Sequence, residues 1–283
     1  MERFGTDPET PLLVAVSGGK DSLALWDVLH TMGYTTTGIH VELGIDGFSE
    51  GSLDVVRRFA RQRELPLIER SLKEAFGYSI QEIRVRTWRK ICSVCGLLKR
   101  QMLNRLTIEN GFGVLVSGHN LDDEAGRLLG NILRNRTRYL EKLSPHLPSP
   151  HPRMPAKQKP LYRLESHEIR TYCRLRAIQP LEAKCPLSRG ATSHTFKEAL
   201  DFLEAKMPGT KRDFLFSHLD RSRDAIYSAP DTTCNRCGEP SFAEVCSVCN
   251  LSEQLKAKDE SAASAERNGS RKERRETTSE KTP

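Results

Sequence analysis

Residues 12–22 read LLVAVSGGKDS, and no other stretch constrains the fold as strongly. Five apolar residues without a polar break suit a strand buried on both faces, as in a parallel sheet. A glycine pair follows, and then Leu23, Leu25, Trp26 and Leu29 at helical spacing. Strand, glycine turn and helix in that order form an anion cradle. The glycines let backbone come close to a ligand, and the N–H groups of the turn and of the helix N-terminus point at phosphate oxygens. Ser17 and Ser22 can add hydroxyl donors. Asp21 at such a place either binds Mg²⁺ or positions the loop. The chain lacks both the G-x-x-x-x-G-K-S/T loop and the G-x-G-x-x-G fingerprint at this position.

Further strands are predicted at residues 38–43, 65–69 and 113–117, with helices over 52–64 and 121–133 between and after them. Strands alternating with helices predict an α/β fold, a doubly wound parallel sheet. Six prolines between Ser144 and Pro160 predict an extended loop, and residues 159–163 a short strand. Helices are predicted around Ile169, Tyr172 and Leu175, over 196–203, and over 211–227. Residues 256–283 are Ser-, Glu-, Lys- and Arg-rich without an aromatic residue, which predicts a disordered tail. The expected division is 1–228, 229–254 and 255–283.

No run approaches the roughly 18 apolar residues of a spanning helix. The N-terminus has no signal-peptide pattern, so the cytoplasm is the expected compartment. The formal charge of +7 is unevenly spread. Residues 84–105 hold seven basic side chains and no acidic one; residues 134–189 hold thirteen basic and four acidic. Concentrated positive charge suits a polyanion such as nucleic acid; a solvated surface with phosphate-binding arginines is the other reading.

Six of the eight cysteines fall in three C-x-x-C pairs. In a reducing compartment such pairs point to metal or redox chemistry rather than disulfides. Cys234, Cys237, Cys246 and Cys249 are two knuckles eight residues apart, the donor set of a closed, structural Zn²⁺ site, with a rubredoxin-like iron as the alternative. Cys92 and Cys95 open a predicted helix, where thiolate is favoured, and Cys185-Pro186 follows about ninety residues later. Lys99 lies one helical turn beyond Cys95. Asp122 and Asp123 stand where a helix N-terminus favours carboxylates. Cys173 matches no motif and reads as a buried apolar residue.

The SGGKDS loop resembles that of the PP-loop ATP pyrophosphatases, a Rossmann-like fold, which cleave ATP between the α- and β-phosphates and activate a carbonyl as an adenylate. SGGKDS, then Cys92-Ser-Val-Cys95-Gly-x-x-Lys99-Arg100, then Gly118-His-Asn-Leu-Asp-Asp-Glu124, then Cys185-Pro, resembles the TtcA/TtuA family of tRNA 2-thiolation enzymes over roughly residues 12–249. The resemblance implies an ATP-dependent sulfurtransferase. ATP would contact Ala15, Val16, Ser17, Gly18, Gly19, Asp21 and Ser22, with Val41 and Gly118 against the nucleotide. His40 would sit beside the adenine or in the core. Cys92, Cys95 and Cys185 would hold a 4Fe-4S cluster; a persulfide on Cys92 or Cys185 is the rival chemistry. Lys99 and Asp123 would be catalytic, Asp123 by binding Mg²⁺ or moving a proton. The partners implied are tRNA, a ubiquitin-like sulfur carrier and a second copy of the chain. Arg134, Arg136, Arg138 and the basic residues of 153–176 would meet tRNA phosphates. The C-terminal finger matches the TtuA branch, which makes 2-thiouridine; that branch also has an N-terminal finger, and this chain has no cysteine before Cys92. Formation of 2-thiocytidine, an amidating or ligating PP-loop enzyme, and a non-enzymatic RNA-binding zinc protein are the alternatives.

Overall fold

A computed structural model describes the backbone of residues 1–140, 142–221, 230 and 232–279. The predicted alternation of strands and helices is present. It runs β1 (Leu12–Ala15), α1 (Lys20–Thr31), β2 (Thr36–Glu42), α2 (Ser49–Gln62), β3 (Leu67–Ser71), α3 (Leu72–Phe76), α4 (Ile80–Arg86), α5 (Ile91–Glu109), β4 (Val114–Ser117) and α6 (Leu121–Ile132). After these come α7 (Thr137–Leu140), β5 (His146–Leu147), β6 (Ala156–Gln158), α8 (Ser166–Leu175), α9 (Thr192–Lys206), α10 (Thr210–Arg221), β7 (Thr232–Thr233), β8 (Pro240–Ser241) and α11 (Ser247–Ser279).

The main sheet has the order β3-β2-β1-β4-β6-β5, parallel except for the β5 edge. Leu12, Leu13 and Val14 are fully buried because β1 is central and covered on both faces. Leu12 and Val14 face Trp26, Leu29, Val56 and Phe59 of α1 and α2. Leu13 faces the opposite layer, with Ile83, Val94, Leu98 and Met102 of α4 and α5. A third cluster joins Leu121, Ala125 and Leu128 of α6 to Leu200 of α9 and Leu215 of α10. Buried Asp27 ties α1 to its neighbours, accepting from Arg63 Nε at 2.5 Å, Tyr172 Oη at 2.8 Å and Arg176 Nε at 2.9 Å.

Three elements differ from the sequence expectation. The proline-rich loop contributes two sheet strands, because β6 supplies a ladder partner for β4 and its prolines lie outside the paired residues. Residues 160–163 form a 3-10 turn begun by Pro160 rather than a strand, in keeping with the fixed φ of proline. The tail expected to be disordered carries α11, which continues to Ser279. Its Leu251 and Leu255, four residues apart on one face, are buried in the α4–α5 layer. Asp259 accepts from Tyr78 Oη at 2.7 Å and Arg86 Nε at 2.9 Å. Residues 280–283 of the expected tail, and 222–227 of the helix expected beyond α10, lie outside the described residues. No described helix is long and apolar enough to cross a membrane.

Candidate active site at the carboxyl ends of the strands

The chain leaves β1 for β2 on one side and reaches β4 on the other, so a crevice opens between the carboxyl ends of β1 and β4. Ligands of open α/β sheets bind at such a switch point. The SGGKDS loop fills it. Gly18 has φ +75°, and a Cβ there would stand 2.9 Å from the Ser52 carbonyl oxygen. Ser22 Oγ accepts from the Ser17 N–H at 3.1 Å and donates to the Gly19 carbonyl at 3.0 Å, so it braces the loop from within. Ser52 Oγ donates to the Ser17 carbonyl at 2.8 Å. Gly19 caps α1 without a side-chain bond, which leaves the first N–H groups of the helix for an anion.

Asp21 accepts from Asn120 Nδ2 at 2.9 Å and pairs with Lys20 at 2.5 Å. Of the two roles open to it, this geometry favours positioning. Gly118, at the end of β4, lies against the loop itself: a Cβ would stand 2.7 Å from the Asp21 carbonyl oxygen and 2.9 Å from the Ser22 nitrogen. Gly118→Ala is therefore expected to displace the loop and weaken ATP binding at least about tenfold, roughly 1.4 kcal/mol, with circular dichroism unchanged. Calorimetric titration with ATP checks this; undiminished affinity would mean the loop yields freely.

His40 is buried, and its ring stands 2.9 Å from the Val16 carbonyl through Nδ1. Burial lowers its pKa, so the neutral ring is a fastener between β2 and the end of β1. Ala15 pairs with Ile39 and Ser117 in the neighbouring strands, and Val41 lies near the carboxyl end of β2.

The fold brings the three distant thiols together. Cys92 is exposed on the first turn of α5, and its S–H reaches the Leu187 carbonyl at 3.4 Å. Cys95 and Cys185 are half-buried and pack with Leu187 on the same apolar cluster. Burial raises the Cys95 pKa, opposed by Lys99. Lys99 is half-buried and has no hydrogen bond or ion pair among the described residues. The segment that delivers Cys185 also touches the nucleotide loop, for the Leu181 N–H donates to the Gly18 carbonyl at 2.8 Å.

The two aspartates separate. Asp122 accepts the Ser166 N–H at 2.7 Å and pairs with Lys211, which binds α6 to α8 and α10. Asp123 closes a capping box with Asn120 and pairs with Lys197 of α9. Asn120 thus links Asp123 to Asp21 across the crevice.

Behind β4, around Glu124, the structure gathers cations that the sequence reading did not group. Lys157 and Lys159 belong to the basic residues of 153–176 that were expected to meet tRNA phosphates. Lys159 is buried, 2.6 Å from Glu124, and Arg127 reaches the same carboxylate at 3.4 Å. Burial, then Arg100, Lys159 and Arg127, lowers the Lys157 pKa to about 8. His119 is solvent-exposed, its Nδ1 2.9 Å from Ser117 Oγ. In the sequence His119 stood within the Gly118–Glu124 stretch, just after a strand end, with no role assigned to it. The outer footprint narrows accordingly. Arg153 bonds to Glu239 at 2.9 Å, and Arg176 to Asp27 at 2.9 Å. Arg134 and Arg136 remain exposed, over the rings of Phe196 and Tyr139 at 4.7 and 5.7 Å. The Arg138 side chain lies outside the described residues.

The sulfurs of Cys234, Cys237, Cys246 and Cys249 all lie within 4.8 Å of one another. Cys234–Cys249 and Cys237–Cys246 are each 3.8 Å apart. Metal–sulfur bonds of about 2.3 Å give a tetrahedron with edges of about 3.8 Å, so the four thiols fit one tetrahedral ion. N–H bonds, that of Cys246 first, lower the Cys234 pKa, whereas burial raises those of Cys237 and Cys249. Cys173 is buried, as its lack of a motif suggested.

Residues 2–184 match the PP-loop domain model. The chain is 44% identical over 247 residues to the tRNA-5-methyluridine(54) 2-sulfurtransferase of Thermus thermophilus, covering 86% of this chain and 77% of that one. It is 39% identical over 257 residues to the enzyme of the same name from Thermotoga maritima, covering 90% and 84%. Among solved structures it superposes with TM-score 0.76 and 27% identity on the U34-tRNA thiolase NcsA of Methanococcus maripaludis, a structure with a 4Fe-4S cluster, covering 87% and 81%. The matched loop, the thiols beside it and these likenesses agree: the chain belongs to the PP-loop domain family, on the branch that holds the tRNA 2-sulfurtransferases.

Proposed function

We propose that the protein is an ATP-dependent tRNA 2-sulfurtransferase that makes a 2-thiouridine-type nucleoside. The observation that carries this reading is the 181–185 segment, which bonds to the nucleotide loop at Gly18 and sets Cys185 beside Cys92 and Cys95. ATP binds on SGGKDS between β1 and β4, its phosphates on the uncapped N-terminus of α1, with Mg²⁺ as counterion. The uridine O2 attacks the α-phosphorus, pyrophosphate leaves, and the N3 proton departs. Sulfide then adds at C2, and AMP leaves with the former O2. Lys99, unpaired one turn from Cys95, supports charge on the phosphate and on the adenylated base. Asp123, oriented by Asn120, receives the proton or holds the Mg²⁺.

Cys92, Cys95 and Cys185 would hold the 4Fe-4S cluster, which would supply the sulfur-transfer chemistry. The zinc ion belongs to the four C-terminal thiols. A ubiquitin-like carrier with a C-terminal thiocarboxylate supplies the sulfur, the working form is a homodimer, and the compartment is the cytoplasm. The higher identity to the 5-methyluridine(54) enzymes favours position 54. An amidating or ligating PP-loop enzyme has no use for the thiol trio.

Nucleoside mass spectrometry of bulk tRNA from cells lacking the gene tests the reading. Loss of 5-methyl-2-thiouridine is expected. Loss of 2-thiocytidine instead, or no change in any thiolated nucleoside, would overturn it.

A further inference from the structure

The chain has two tryptophans. Trp26 is fully buried in the core, whereas Trp88 is 94% exposed. A tryptophan held so far into solvent leaves its apolar area unburied, and the core does not require it there. It stands in the four-residue connection between α4 and α5, four residues before Cys92. Four residues span at most about 14 Å, the rise of about four stacked nucleotides.

The surroundings are cationic. Lys258 of α11 places Nζ 4.7 Å from the Trp88 ring centroid. Asp259, bonded to Tyr78 and Arg86, fixes the turn of α11 that carries this lysine. Arg89 and Lys90 follow Trp88 in the connection and Arg84 precedes it; all three are exposed and have no ion-pair partner among the described residues. Arg84, Arg89 and Lys90 open the sequence block, residues 84–105, that contains seven basic residues and no acidic one.

We propose that Trp88 is a stacking site for an unpaired nucleobase of the RNA substrate, with Arg84, Arg89, Lys90 and Lys258 taking the flanking phosphates. The chemistry follows from the parts. Every base has a π-face, an exposed indole stacks on it without regard to sequence, and neighbouring cations track the backbone. A uridine that must present its C2 carbonyl to a protein site leaves its own stack, and an aromatic platform beside the thiols replaces the stacking lost by that base or its neighbour. Here the inference deepens the reading of the substrate as tRNA.

Tryptophan emission of the full-length holoprotein tests it. The red-edge emission and its quenching by acrylamide belong to Trp88, since Trp26 is fully buried. Binding of tRNA, followed separately by gel retardation, is expected to quench that emission and shield it from acrylamide; oligouridylate does the same at higher concentration. Trp88→Phe removes the signal and keeps most of the affinity. Trp88→Ala raises KM for tRNA roughly 5- to 160-fold, the span of stacking on one base, with the effect in KM rather than kcat and with ATP affinity unchanged. Retarded tRNA with unchanged Trp88 emission overturns the proposal and leaves the thiolation reading standing. Quenching by oligouridylate without tRNA binding upholds the stacking site and overturns the tRNA reading. Shielding that rises with protein concentration in the absence of RNA assigns the ring to a second copy of the chain and overturns the proposal. No response to either RNA also overturns it.

Discussion

Cys92→Ala is expected to lower tRNA thiolation at least about 10³-fold while ATP affinity and the melting temperature stay near those of the parent. The direction follows from position. Cys92 is exposed on the first turn of α5, so losing its sulfur opens no cavity in the core. The nucleotide loop is braced by Ser22, Ser52 and Asn120, none of which touches Cys92. On the proposed cluster the three thiols would form one ligand set, so Cys95→Ala and Cys185→Ala should cost as much, and the triple variant little more. Single-turnover assays with anaerobically reconstituted protein, read by nucleoside mass spectrometry beside iron and sulfide content, measure this. Thiolation that survives Cys92→Ala would sink the shared-cluster reading. Strongly additive losses would point to separate roles, as a persulfide carrier and its partner would have.

Removing the metal from the C-terminal thiols should have the largest effect on stability. A structural Zn²⁺ contributes on the order of 10–16 kcal/mol to a small four-thiol module, comparable with or above the whole net stability of a domain. The module over residues 232–249 has two short strands, β7 and β8, and little apolar interior of its own. Its disorder would release α11, uncovering Leu251 and Leu255 and the α4–α5 side chains they shield. Cys234→Ser, or a strong chelator, is expected to lower the melting temperature by about 10 °C, a loss of several kcal/mol for a chain of this size. Metal analysis should give one zinc per chain, absent from the variant. A chain that binds no zinc and melts at the same temperature as Cys234→Ser would show that the four sulfurs have no structural role. Because α5 also carries Cys92 and Cys95, iron retention should fall in the zinc-free protein. Two sites far apart in sequence are thereby coupled through a helix packed on a helix.

Much of the fold was legible because its signals are local. An unbroken apolar run followed by a glycine turn and helical spacing can bury itself in few ways, and the β1–loop–α1 unit lies where the sequence put it. The four C-terminal cysteines were equally readable, since knuckle spacing fixes tetrahedral geometry within sixteen residues of chain. The weaker signals failed where a distant partner decided the outcome. Prolines predicted a plain loop at 144–159, yet β4 had an open edge and recruited residues 156–158 as a parallel strand. The polar tail predicted disorder, yet it continues the helix begun at Ser247, which Leu251 and Leu255 just before the tail and Asp259 within it hold against the α4–α5 layer.

Sequence by itself determined the elements and their order: a parallel α/β sheet, an anion loop after its first strand, and a four-thiol module near the end. Those follow from periodicity, backbone freedom at glycine and ligand spacing, all of which act over a few residues. Tertiary structure decided which residues work together. It brought Cys185 to Cys92 and Cys95, tied Asp122 to Lys211 while setting Asp123 toward the crevice, turned Lys157 and Lys159 inward, and left Trp88 in solvent beside Lys258. Such choices depend on which surfaces cover one another, and burial is a property of the packed chain that no local pattern encodes.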